Sequence, residues 1–260
     1  MSYRAYQNDR RRPAPPRNPM IGLMLLNQLY RIIEPLPVKP LATIAIIAMN
    51  MACHYCQNEL YFYFSIDLNI QRNCLLPQTI VDTIASSSPS NSISSWVSKL
   101  TGRESASYVV NRLLLSALIH VDDWHLYYNM TSLAYKGVNL EALLGFEAFL
   151  YLLCYSWICS HVLAVFLSYA LYHTYFIHSL PELTTSYRSC GVGFSAVIFA
   201  LKYVWNYHSS RNGNTHEAVY GIRLPLQYVC WVELILISML HANVSFIGRS
   251  ASYHFSLCID

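Results

Sequence analysis

The chain has 260 residues, 54% of them hydrophobic and 12% charged, with a formal net charge of +3 and a mean hydropathy of +0.29. A soluble domain carries about twice that share of charge, roughly 25%. The composition therefore excludes intrinsic disorder, a nucleic-acid-binding domain and an ordinary cytosolic enzyme. An all-α polytopic membrane protein is the class that remains, with membrane lipids as surroundings and no nucleic acid as partner.

Residues 1–20 read as a flexible basic arm, with Arg10-Arg11-Arg12 followed by Pro13, Pro15 and Pro16. The excess of Arg and Lys before the first apolar run places the N-terminus in the cytosol by the positive-inside rule. No cleavable signal peptide is visible. Ile21 to Leu36 is amphipathic and suits a membrane surface. Pro37 and Pro40 open a first span over 38–56, continued by the interface-type aromatics Tyr61-Phe62-Tyr63-Phe64. Residues 67–107 are rich in Asn, Ser, Gln, Asp and Pro and predict a long lumenal loop, partly disordered. An amphipathic piece runs from Tyr108 to His120.

The second span, 124–144, is polar for its length, so it should face protein or water. The third, 146–172, is the most hydrophobic. A loop over 173–190 precedes a fourth span, 191–207, and a fifth falls at 225–242. Arg249 to Asp260 would make ~18 Å of helix at ~1.5 Å per residue, short of a ~30 Å hydrocarbon core. Five spans with an inside N-terminus put the C-terminus on the far side. The eight cysteines suggest no disulfide framework, since Cys154, Cys159, Cys190 and Cys230 lie in or beside apolar runs, where Cys behaves as a small hydrophobe. Cys53-His54-Tyr55-Cys56 has CxxC spacing without a second ligand pair, so no metal site is expected.

Polar residues inside spans are functional candidates. His125 and Asn129 are four apart and share one helix face. An imidazole and a carboxamide there could aim donors at one spot, as an oxyanion hole requires; the bland alternative is a pair of satisfied bundle-core groups. Gly193-Phe194-Ser195 puts a serine at the start of a buried helix, where it could act as a nucleophile. Small-residue motifs more often mark close helix packing. Lys202 and Glu233 read as a structural intramembrane pair rather than a transport site, and no inverted repeat supports transport.

Taken together, His120-Val-Asp-Asp-Trp-His-Leu-Tyr-Tyr-Asn-Met130, Lys136-Gly-Val-Asn-Leu-Glu141 with Leu144-Gly145, Arg188-Ser-Cys-Gly-Val-Gly-Phe-Ser-Ala-Val-Ile-Phe-Ala-Leu-Lys202 and Cys230-Trp-Val-Glu-Leu234 resemble the rhomboid intramembrane serine proteases, and within them the branch resident in the endoplasmic reticulum. The resemblance is loose over 20–56 and close over 108–248. It implies the family's six-helix bundle, of which the membrane domain over 21–248 shows five spans, with a water-filled cavity open to the lumen, no cofactor, and transmembrane helices as substrates. It makes Ser195 the nucleophile, His125 and Asn129 the oxyanion side chains, and Gly193 the first glycine of a Gly-x-Ser-Gly motif. Glu141 and Gly145 match structural positions, and Phe199 an aromatic that packs on the catalytic histidine. Residence in the endoplasmic reticulum membrane follows from the resemblance alone.

Two departures stand out. Ala196 replaces the second glycine of the motif, a mild change. The resemblance expects the general base, a histidine, just after Gly248, and Arg249 occupies that place. Arginine stays protonated and cannot serve as a base. His254 lies five residues late, with no sixth span to hold it, in a divergent tail over 249–260. The resemblance stops after Gly248, as in a truncated or alternatively spliced product. The expectation is a protease by family whose activity is impaired in this chain. The alternative is an inactive rhomboid-like protein that binds transmembrane clients for retention or degradation.

Overall fold

The computed structural model describes residues 17–86, 103–174, 186–211, 216–219, 222–225 and 228–229. The described part is mainly helical, with one small hairpin.

Helix α1, Pro19–Ile33, starts where Asn18 caps it, its side chain accepting from the Met20 N–H at 3.0 Å, and where Pro19 fixes the first turn. Its other end is closed by Lys39, whose ammonium donates to the carbonyls of Ile33, Glu34 and Leu36 at 3.1, 2.7 and 3.0 Å. A cation at a helix C-terminus also meets the negative end of the macrodipole. Helix α2, Leu41–Tyr55, has Pro40 at its cap and no side-chain cap from its own segment. Glu141 supplies one from across the bundle, accepting from the Ala42 N–H, the Thr43 N–H and the Thr43 hydroxyl at 2.9, 2.9 and 2.8 Å.

Glu141 sits on α7, Asp123–Leu144, the central helix. Asn18 donates its N–H to Asp123 at 2.7 Å, and Gln28 reaches the Tyr135 hydroxyl at 3.2 Å. Helix α1 therefore runs parallel to α7. Helix α2 runs antiparallel, from Glu141 back to Asp123, where His54 Nε2 donates to the carboxylate at 3.0 Å. Between apolar helices in lipid no hydrophobic driving force operates, so close approach and hydrogen bonds set the packing. Gly137 provides the close approach: a Cβ there would stand 2.6 Å from Thr43 Oγ1.

Helix α8, Phe146–His173, follows the single residue Gly145, whose φ of +82° turns the chain between the two helices. Among the described residues, α8 is the one helix long and apolar enough to cross a membrane by length and composition. Its buried stripe, Ser156, Ser160, Ala164 and Ser168, steps by four along one face. Small residues at that spacing allow close helix contact, and α8 packs on α9, Ser195–Arg211. The second and fourth expected spans are thus helices α7 and α9. Within α7, Asn129 and Glu141 are buried while Trp124, Tyr128 and Tyr135 are exposed, so only one face of that polar span looks inward. Lys202 is buried in α9. The fifth span lies outside the described residues except for Pro225, Tyr228 and Val229, and Glu233 and Cys230 lie outside them too.

After α3, Gln57–Phe64, the described parts of the expected loop over 67–107 carry α4, Ile70–Asn73, α5, Pro77–Ser86, and the start of α6, Arg103–Leu118. Asp67 and Asn69 accept from N–H groups two residues on, the local bonding that makes Asx residues start turns and helices. The cysteines do form a bridge: Cys74 is bonded to Cys190 across 116 residues of sequence. Cys190 is therefore a cross-link rather than a small hydrophobe. The polar connection after α9 forms an antiparallel hairpin, β1 His216–Val219 and β2 Ile222–Pro225.

Candidate functional site

The site grows from the start of α7. Asp122 has extended backbone, and its carboxylate accepts the His125 N–H at 2.7 Å. That cap satisfies an otherwise orphaned donor and fixes the first turn. The register of His125, the third helical residue, and of Asn129 one turn on follows from it. His125 is partly buried and Asn129 buried. The Asn129 amide nitrogen has no acceptor among the described residues.

Gly193 closes on this pair from the other side. Its φ is +103°, and its N–H donates to the Ser116 carbonyl at 2.8 Å. A Cβ added there would stand 2.7 Å from His125 Cε1, 2.8 Å from His125 Nε2 and 3.4 Å from Asn129 Nδ2. Both the backbone angle and the space therefore require glycine. The two side-chain nitrogens converge over a backbone left bare by that glycine. Phe194 is fully buried, its ring 5.5 Å from that of Trp157. With Phe194 anchored, the chain enters α9 at Ser195. Ser195 is partly buried at the helix N-terminus, where first-turn N–H groups lack intrahelical acceptors and the dipole is positive. Ala196 follows it, and Phe199 lies one turn on, on the face that carries Ser195.

Glu141 and Gly145 lie near the far end of α7, one anchoring α2 and the other turning into α8. Arg249 and His254 lie outside the described residues. Among the described residues no group of three metal-ligating side chains comes together.

Sequence reasoning gave three contributors no role, His120 among them although it opens the His120–Asn129 motif. His120 is buried with its ring 5.1 Å from that of His125. Its Nδ1 faces the Leu118 carbonyl at 3.3 Å, which makes that nitrogen the N–H donor. Burial, and next the proximity of His125, hold its pKa well below the ordinary histidine value. It packs against His125 as a neutral ring. Ser116 contributes a backbone carbonyl, which no side-chain pattern reveals. The third is the Cys74–Cys190 bridge, next to which Leu75 and Gly191 exchange two backbone hydrogen bonds of 2.8 and 2.9 Å. Its signal was two distant cysteines, each beside a polar loop, and sequence alone does not pair them.

The Rhomboid domain profile matches residues 108–254. The chain belongs to the rhomboid family. It is 40% identical to human "Rhomboid-related protein 4" over 140 residues, 54% of this chain and 42% of that protein. The mouse protein of that name is 38% identical over the same shares. "Rhomboid-like protein 14, mitochondrial" of Arabidopsis thaliana is 36% identical over 54% of this chain and 39% of its own length. The chain thus covers about two fifths of the length of these curated relatives. No solved structure matches. His125, Asn129, Gly193 and Ser195 fall inside the rhomboid match, Cys74 lies outside it, and the match extends past Arg249 to His254.

Proposed function

We propose that this rhomboid protein is an intramembrane serine endopeptidase in design, acting on transmembrane helices, with turnover in this chain limited by Arg249. The observation that carries the reading is the convergence of His125 Nε2 and the Asn129 amide, which has no acceptor among the described residues, over bare Gly193, two residues before Ser195. In acyl transfer, Ser195 Oγ would attack the scissile carbonyl. The carbonyl oxygen would become an oxyanion held by His125, Asn129 and the Ser195 N–H. Donors fixed in advance in a site with little water stabilise that charge most. Serine at its ordinary pKa needs a positioned base to lose its proton. Arg249 cannot supply one, and His254 stands five residues away in sequence.

The Cys74–Cys190 bridge favours an oxidising compartment on the side of the site. That supports a multi-pass protein of the endoplasmic reticulum membrane with its site toward the lumen. Arg249 also favours a second reading, a client-binding rhomboid without proteolysis. The test is turnover of a transmembrane client in cells carrying the parent chain or Ser195→Ala. Loss of client cleavage in the variant supports proteolysis. Equal client levels with both chains, above those of cells lacking either, refute proteolysis in favour of binding.

A further inference from the structure

We propose that Cys74–Cys190 is a reducible strap that positions the Gly193-Phe194-Ser195 turn, with Arg112 holding the strap in register and easing its opening. The proposal builds on the reading of Ser195 as nucleophile. Helix α6 is the ruler. Arg112 and Ser116 are four residues apart and stand one turn apart on a common face. Arg112 is buried, and its guanidinium donates to the Cys74 carbonyl at 2.6 Å and to the Gln71 carbonyl at 3.3 Å. The Ser116 carbonyl takes the Gly193 N–H at 2.8 Å. Between these two points, Leu75 pairs with Gly191 through two backbone hydrogen bonds, and Cys74 is bonded to Cys190. The segment 190–193 is thus fixed at three places along α6 and its neighbour, and Ser195 follows two residues later. Two of the three attachments depend on Cys74 staying beside Cys190.

The bond is also disposed to open in one direction. Cys74 has no exposed surface, whereas Cys190 is partly exposed. An incoming thiolate therefore has its approach from the Cys190 side, and attack falls on that sulfur. A new sulfur–sulfur bond forms there, the Cys74–Cys190 bond breaks, and its electron pair goes to Cys74 Sγ. That sulfur lies 3.8 Å from Arg112 Nη1, and a neighbouring guanidinium stabilises a departing thiolate, which speeds exchange. With a dithiol reductant, its second thiolate then displaces Cys190 and the reductant leaves as a cyclic disulfide. The dithiol gives up two electrons and two protons, and the protein gains two thiols.

The test uses the full chain in detergent, with thiols trapped by N-ethylmaleimide before peptide mapping. Cys74 and Cys190 are expected as a linked pair, and Cys53, Cys56, Cys154 and Cys159 as alkylated thiols. Dithiothreitol should raise amide exchange over 189–195 about tenfold or more while α7 and α8 keep their protection, as local opening requires. Oxidised glutathione should reverse the change. Arg112→Gln should slow reduction several-fold. Fluorophosphonate labelling of Ser195 should fall on reduction and recover on reoxidation. Recovery of Cys74 and Cys190 as alkylated thiols would overturn the strap. So would unchanged exchange over 189–195 after reduction, or loss of protection throughout α7 and α8, which would mark a merely structural cross-link. Absence of Ser195 labelling in both redox states would count against the nucleophile instead, with amide exchange still deciding the strap.

Discussion

Gly193→Ala is the sharpest single perturbation of the site. The methyl would sit 2.7 Å from His125 Cε1 and 2.8 Å from its Nε2, whereas ordinary contact begins near 3.4 Å. The imidazole would have to retreat by about 0.7 Å. It cannot do so freely, because the buried His120 ring packs against it with centroids 5.1 Å apart. Alanine at a φ of +103° adds backbone strain of about 1–3 kcal/mol, and overpacking typically adds about 1–3 kcal/mol more. Gly191→Ala is the matched control, two residues away, where a Cβ would meet Leu75 at 3.7 and 3.8 Å. Thermal unfolding in detergent should show Gly193→Ala less stable by about 2–6 kcal/mol and Gly191→Ala within about 0.5 kcal/mol of the parent. Fluorophosphonate labelling of Ser195 should fall about 10²-fold in Gly193→Ala alone, the usual cost of a displacement near 1 Å in a preorganised site. If the two variants matched each other in both stability and labelling, the placement of Gly193 against His125 would be wrong.

Three further outcomes follow from the same geometry. Glu141→Gln puts an NH₂ against one of the N–H donors at the start of α2 and should cost about 2–4 kcal/mol in a denaturation series; a change under about 0.5 kcal/mol would show that α2 needs no cap from α7. Gly137→Ala forces Thr43 away and should cost about 1–3 kcal/mol, partly recovered in the Gly137→Ala/Thr43→Ala pair; an unaffected single variant would contradict the close crossing of α2 and α7. His120 has a folded pKa below its unfolded value near 6.5, so its contribution is complete above about pH 6.5 and is lost as pH falls below it, by up to ~1.4 kcal/mol per pH unit. His120→Phe should flatten the fall in stability between pH 7 and 5.5 by that amount, and an identical slope in parent and variant would place His120 in water.

The helices α2, α7, α8 and α9 were legible because their apolar runs and breakers, Pro40, Gly145 and Gly193, are local signals. His125, Asn129 and Gly193 could be singled out for a similar reason, since helix spacing and a glycine beside a serine are visible in the chain itself. What the sequence hid is non-local. The bond between Cys74 and Cys190 joins residues that only the fold brings together, and the Ser116 carbonyl is backbone. Arg17 reaches the Tyr55 carbonyl at 3.4 Å, at the end where α7 begins, while Lys39 closes the opposite end of α1, a separation of charge that no sum over sequence shows.

The most direct measurement is mass-spectrometric mapping of fluorophosphonate adducts on the purified chain in detergent. Slow modification is expected at Ser195 in the parent and faster modification in Arg249→His, which restores the histidine base that the rhomboid resemblance expects. The geometry predicts a clear loss in His125→Ala and Asn129→Ala, and none at residue 195 in Ser195→Ala. Adducts absent from Ser195 in both the parent and Arg249→His, or formed as readily without His125 and Asn129 as with them, would contradict an oxyanion site at this turn.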